Sequence, residues 1–221
     1  MGVKVALRGD VWETLFPHAF TLMDEVRRHG GIEPFWTFGG GTVLMLRYGH
    51  RFSRDIDLFV PDPQYLGYVT PRLSEAAETI TADYVEQGNF VKLVLDAGEI
   101  DIVASPNLTA SPFEVWEIMG QPVRVETAAE IVAKKLYHRG DRATARDLFD
   151  LAVVVERDLQ ALSHAAPYLL RHAEAFLAQV SAGVPIMREQ FASIQRTGFS
   201  RSFDECVRLA SDFLNGLNAK C

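Results

Sequence analysis

The segment FGGGTVLMLRYGHRFSRDIDLFV, from Phe38 to Val60, constrains this chain more than any other. A strand over 34–38 runs into three consecutive glycines, a short apolar helix follows over 42–47, and a second strand over 54–60 is closed by Pro61-Asp62-Pro63. Strand, glycine turn, helix and strand in that order point to a sheet covered by helices. The second strand nevertheless carries Asp55 and Asp57 in an otherwise apolar run. Glycine triplets and buried carboxylates both cost stability, so the segment reads as a site as well as a piece of fold.

Upstream, Asp10 and Glu13 have the spacing of a capping box, and Trp12, Phe16, Phe20, Met23 and Val26 recur at helical intervals until Gly30-Gly31. Downstream, Thr70-Pro71 reads as a helix start with Leu73, Ala76, Ala77 and Ile80 as its inner face. Segments 90–95 and 99–104 form a hairpin about Asp96-Ala97-Gly98, and 113–119 and 122–125 a second about Gly120. From Thr127, which with Glu130 repeats the capping-box pattern, the periodicity is helical over 127–139, 143–157, 160–182, 185–195 and 202–217. The expected fold class is α+β, a mixed sheet flanked by helices and followed by a C-terminal helical bundle. The expected division is an α/β core over 1–125 and a helical domain over 126–221 that completes the site.

With 221 residues, 48% of them hydrophobic and 23% charged, the chain can bury a core and has no composition of disorder. Its apolar runs fall far short of the roughly 20 residues of a membrane span, and its N-terminus lacks an h-region. Cys206 and Cys221 make no disulfide framework, so a reducing, cytoplasmic location is expected. The net charge of −7 argues against non-specific coating of nucleic acid. Between Arg124 and Arg146, however, six basic residues face three acidic ones, which suggests either a local anion site or a solvated helix face.

Side chains two apart in a strand share a face, so Asp55 and Asp57 present their carboxylates together. Adjacent anions call for a cation, and Mg²⁺ binds through one or two carboxylates plus substrate phosphates. Asp101, between Ile100 and Ile102, offers a third carboxylate on a later strand. Three such groups would suit two Mg²⁺ ions in phosphoryl or nucleotidyl transfer, although Asp-x-Asp pairs also occur on exposed strand faces. Gly39-Gly40-Gly41-Thr42 opens a helix whose backbone N–H groups could meet phosphate, with the Thr42 hydroxyl beside them. No Walker lysine and no dinucleotide fingerprint follow.

On the later helices Lys135 and Arg139 share a face, and Asp147 and Asp150 are neighbours. Such a set forms either a structural ion-pair network or, together with the aspartate strand, a triphosphate-binding group. His18, His29, His50, His138, His164 and His172 show no zinc spacing, and only His50 and Arg51 lie near the aspartates in sequence. No nucleophile elbow or cysteine nucleophile site is present.

Gly-Gly-Gly-Thr followed by Asp55-x-Asp57 resembles the first motif of the DNA polymerase β-like nucleotidyltransferases. The finer pattern adds Arg51-x-Ser53-x-Asp55-Ile56-Asp57-Leu58, then Lys135-x-x-x-Arg139, then Arg146-Asp147-Leu148-x-Asp150-Leu151. Over roughly 35 to 155 it resembles the AbiEii/AbiGii (MenT-like) toxin family. The resemblance implies Asp55, Asp57 and Asp101 as metal ligands, with Asp101 alternatively the base for an acceptor hydroxyl. It implies Gly40, Gly41, Thr42, Ser53, Lys135 and Arg139 as NTP-binding residues, and Asp147 as the acidic residue of the Arg-Asp motif. The implied activity moves NMP from an NTP to the 3′ end of tRNA, by the toxin of a pair whose partner is an antitoxin protein. A small molecule or a protein hydroxyl as acceptor, or a non-catalytic nucleotide-binding relative, remain alternatives.

Overall fold

The computed structural model describes residues 3–163, 165–182 and 184–218; Cys221 and His164, named above, lie outside them. The chain divides into two compact units. The first comprises Met1–Val43, Ser53–Asn107 and Phe113–Glu126, and the second Leu44–Phe52, Leu108–Pro112 and Thr127–Cys221. The change near 126 falls where the helical periodicity begins. Segments 44–52 and 108–112, placed by sequence with the α/β core, are grouped with the helices.

The first unit holds an eight-stranded mixed sheet. Its strands are β1 (Val3–Lys4), β2 (Thr37–Gly39), β3 (Ile56–Val60), β4 (Tyr84–Gln87), β5 (Phe90–Leu95), β6 (Gly98–Ala104), β7 (Phe113–Ile118) and β8 (Gln121–Glu126), in the order β1-β7-β8-β2-β3-β6-β5-β4. Hairpins β5–β6 and β7–β8 fall where alternation and turn residues predict them. The parallel pairs β2–β8 and β3–β6 join segments distant in sequence. Strand β2 is shorter than the expected 34–38 and takes in Gly39.

Helix α1 (Val11–Gly30) buries Trp12, Leu15, Phe16, Ala19, Leu22, Met23 and Val26, the stripe that a 3.6-residue period sets on one side, and packs against β3 and β6. Its start is not the expected capping box. The Asp10 side chain makes no cap hydrogen bond, and the Glu13 carboxylate accepts instead from the Arg8 and Gly9 amides. Gly31, left-handed at φ 67°, ends the helix by donating to the Arg27 carbonyl. Helix α2 (Gly40–Tyr48) opens at the glycines. Thr70, where a helix is expected to start, instead follows the end of α3 (Leu66–Val69); the next helix is α4 (Glu75–Ile80), capped by Ser74, and Leu73 is exposed rather than inward.

The second unit contains α5 (Ala128–Arg139), α6 (Ala145–Arg157), α7 (Leu159–Ser163), α8 (Ala166–Leu170), α9 (Ala173–Ala182), α10 (Val184–Ala192) and α11 (Phe203–Asn218). The single helix expected over 160–182 is three pieces. Pro167 sits in the first turn of α8, where its missing N–H costs nothing. Helix α6 is the hub, packed against α5, α10 and α11, with Phe149 edge-on to Phe191 and Phe199. Among the described residues no helix is long and apolar enough to cross a membrane.

In the first unit Phe38 is fully buried, with its ring centroid 4.9 Å from that of Phe16 and 6.2 Å from that of Trp12. Phe38→Ala should cost about 3–5 kcal/mol, read as a lower urea midpoint at unchanged slope.

Candidate active site

Two of the three glycines are required by carboxylates of the protein itself. A Cβ on Gly39 would lie 2.2 Å from Glu126 Oε2 and 2.8 Å from the Phe59 ring. One on Gly40 would lie 1.8 Å from Asp57 Oδ2, and Gly40 is also left-handed at φ 71°. Glu126 is fully buried and accepts from the Thr37 hydroxyl at 2.8 Å. The run that suggests a phosphate cradle is therefore first a space for carboxylates. Gly41 is half-exposed in the first turn of α2. The fully buried Thr42 donates its hydroxyl to the Asp55 carbonyl, tying the start of α2 to the residue before β3. Ser53 is half-buried in the segment leading to β3.

Strand register then assembles the charged groups. Asp57 stands opposite Gly39 of β2 on one side and opposite Asp101 of β6 on the other, and Asp101 stands opposite Lys92 of β5. Opposed residues project to the same face, so Gly39, Asp57, Asp101 and Lys92 form one row across four strands. Glu99, two residues before Asp101 on β6, shares that face, whereas Asp55 precedes β3 rather than lying in it as the sequence suggests. The Asp55 Oδ1 accepts from the Glu99 backbone amide at 3.1 Å. Lys92 Nζ donates to Glu99 Oε2 and lies 3.3 Å from Asp101 Oδ2.

Burial, reinforced by the charge of Asp57 and resisted by Lys92, pushes the Asp101 carboxyl up to about 6. Its Oδ1 is buried and has no hydrogen-bond partner among the described residues. Two carboxylates on adjacent strands, one with a buried unsatisfied oxygen, fit a hard divalent cation, which relieves both the repulsion and the desolvation. Among the described residues no three carboxylate, histidine or cysteine groups are placed to hold one ion. The fit is to a two-carboxylate holder, a number sufficient for Mg²⁺ when substrate phosphates supply other ligands. Lys92, Glu99 and Glu126 did not stand out in the sequence. The only signal for the first two was alternation, which puts Glu99 on the face of Asp101.

In the second unit, Lys135 of α5 donates to Asp147 Oδ1 and to Asp150 Oδ2 of α6, both at 2.8 Å. Arg139 donates to Asp147 Oδ1 at 2.6 Å. The Asp147 Oδ2 accepts from the Thr144 amide and hydroxyl and completes a capping box at the start of α6. Asp150, fully buried, is gripped by the Arg51 guanidinium at 2.7 and 2.9 Å and lies 2.8 Å from His50 Nε2. Burial alone would raise both carboxyls. The charges of Lys135 and Arg139 on Asp147, and of Arg51 and Lys135 on Asp150, overrule it and hold both well below the usual carboxylate range.

The expected pattern at Thr127 is only half a capping box. Its hydroxyl accepts from the Glu130 amide, but the Glu130 carboxylate accepts from the Leu108 and Thr109 amides and the Thr109 hydroxyl. Lys134 Nζ lies 3.6 Å from that carboxylate. Several of the positive charges between Arg124 and Arg146 are thus paired within the unit, as the ion-pair reading of this segment anticipates.

A mixed sheet in which a glycine turn opens a helix beside aspartates on adjacent strands is the core of a nucleotidyltransferase. The fold resembles a crystal structure from H. pylori described as a nucleotidyltransferase, with a TM-score of 0.52, 16% identity and 95% of each chain covered. JHP933 from Helicobacter pylori gives a TM-score of 0.48 at 16% identity, covering 93% of this chain and 92% of that one. No curated protein matches the sequence. The model of the family described as nucleotidyl transferase AbiEii toxin, type IV TA system, matches residues 21–218, and the chain belongs to that family. It is a nucleotidyltransferase.

Gly40→Ala should destabilise the protein by about 1–3 kcal/mol, because φ and the Asp57 carboxylate both oppose a side chain. Asp150→Asn leaves Arg51 and Lys135 without their shared counter-charge and should cost about 3–5 kcal/mol. A carboxyl depressed in the fold stabilises above its unfolded pKa and loses that contribution as pH falls through its folded value. The parent should therefore lose this stability progressively below about pH 4, and Asp150→Asn should show a shallower slope there in urea titrations at stepped pH.

Proposed function

We propose that the chain transfers the nucleoside monophosphate of an NTP to an acceptor hydroxyl with Mg²⁺ and releases pyrophosphate. The observation that carries this reading is the pair Asp57 and Asp101, set face to face by the β3–β6 register, with one buried oxygen of Asp101 unsatisfied. Asp57 and Asp101 would hold the divalent ion, with Asp55 alongside. A bound ion supplies Lewis-acid stabilisation of the phosphate oxygens. The Gly40, Gly41 and Thr42 amides, at the positive end of α2, would donate to phosphate oxygens, and Ser53 would add a hydroxyl. Lys135 and Arg139 are the groups we assign to neutralising the triphosphate, with Asp147 orienting both through the contacts it already makes. Ionised Asp101 is also suited to take the acceptor's proton.

By the resemblance the acceptor would be the tRNA 3′ end, and membership in a family of toxins of type IV toxin–antitoxin systems supports the role of a toxin with a cognate antitoxin, which we place in the cytoplasm. One observation favours a smaller acceptor or a protein hydroxyl. Lys134, Lys135 and Arg139, in the most basic segment of an acidic chain, are all engaged with carboxylates of their own unit. The test incubates the protein with each α-labelled NTP, Mg²⁺ and total tRNA, beside an Asp57→Ala/Asp101→Ala variant confirmed as folded. Label on tRNA that falls to the no-enzyme level in the variant is the expected result and identifies the nucleotide. NTP hydrolysis or self-labelling without tRNA labelling would move the acceptor to the second class. Equal activity in the variant would overturn the assignment of the aspartates.

A further inference from the structure

Glu99 and Asp101 lie two apart on β6, and the ammonium of Lys92 on the neighbouring strand lies beside both. Lys92 is strand-borne, with a side chain 27% exposed, and its ammonium bridges both carboxylates. It occupies Oδ2 of Asp101, while Oδ1 of the same carboxylate is buried and unsatisfied. Lys92 thus provides a positive charge in contact with the group that would share a divalent ion with Asp57. The contact to Glu99 is the closer of the two, so Lys92 has a second anion to hold when Asp101 engages an ion.

We infer that Lys92 is a positioning residue that sets the divalent-ion affinity of the site, holding Asp101 while no ion is present and passing to Glu99 when one enters. This rests on the reading of Asp57 and Asp101 as the ion holders. The ammonium and the ion compete for one carboxylate, and an ion of charge two is repelled by a contact cation twice as strongly as a monovalent one. Affinity for the bare ion is kept low as a result. The substrate phosphates then bring the remaining ligands, so ion and nucleotide arrive together rather than the ion residing in advance. Glu99 has the opposite effect, drawing Lys92 away from Asp101.

The test measures Mn²⁺ affinity of the nucleotide-free protein, by calorimetry and by the free-ion signal in electron paramagnetic resonance, in about 0.1 M and about 1 M KCl. Lys92→Met should bind Mn²⁺ tighter by about tenfold or more, the scale of removing a contact charge from a partly exposed site. Glu99→Gln should bind it more weakly, and Lys92→Arg should stay near the parent. The gain in Lys92→Met should persist at about 1 M KCl, where the Debye length of about 3 Å screens distant charges but not a contact pair. Lys92→Gln serves as a second variant if Lys92→Met does not fold. Unchanged or weaker binding in both lysine variants, or a gain that vanishes in high salt, would overturn the role of Lys92 alone. Absence of Mn²⁺ binding in the parent and the lysine variants alike would overturn the ion-holder reading beneath it.

Discussion

The structure depends on a like-charge encounter that the sheet itself imposes. Parallel pairing of β3 with β6 sets Asp57 opposite Asp101, and the same register buries Ile56, Leu58, Ile100 and Ile102 on the other face. The apolar contacts cannot form without the two carboxylates meeting, because a shift by one residue would turn every side chain over. The protein accepts the repulsion, which adds to burial in raising the proton affinity of Asp101, and leaves one of that residue's oxygens unsatisfied. Folding energy drawn from the isoleucines is thereby used to hold two anions together. Around this pair its neighbours fall into place: Gly40 on one side because Asp57 needs the room, a lysine on the other because Asp101 needs a counter-charge.

The helical unit handles its carboxylates in the opposite way. Asp150 is more deeply buried than Asp101, yet its proton affinity is lowered rather than raised. The difference is one of neighbours, since Asp150 receives a two-pronged guanidinium, a lysine and a histidine, whereas Asp101 receives one lysine and another aspartate. Asp147 caps α6 with one oxygen and anchors Lys135 and Arg139 with the other. Cap and anchor are one residue, so the orientation of the two cations is coupled to the integrity of the helix start.

Elements with a local signal were legible in the sequence. Hairpins β5–β6 and β7–β8, the stripe of α1 and the helices α5 and α6 follow from alternation, helical spacing and turn residues. The segment after Thr70 was not, because Ser74 rather than Thr70 supplies the cap and Leu73 falls in the turn between two helices. Asp55, Asp57 and Asp101 were legible as candidates because carboxylates within apolar strands are conspicuous. Their pairing was not, since register between strands far apart in sequence depends on the whole sheet. For the same reason Lys92 and Glu99, ordinary residues of a strand pair, acquire a role only once β5 lies beside β6. The glycine run was legible as a demand for space, but its cause, Glu126 on β8 and Asp57 on β3, lay outside the local window.

That cause binds positions into pairs. Gly40 has no room for a side chain while Asp57 keeps its carboxylate, and Gly39 has none while Glu126 keeps its own. Shortening the acidic residue relieves only part of this, because a Cβ on Gly40 would still lie 2.7 Å from the Asp57 Cβ with φ at 71°, and one on Gly39 would still lie 2.8 Å from the Phe59 ring. A sequence retaining Asp57 alongside a bulky residue at position 40 would need a rebuilt turn. The two glycines would therefore outlast the anionic row in a chain with this fold that had lost its carboxylates.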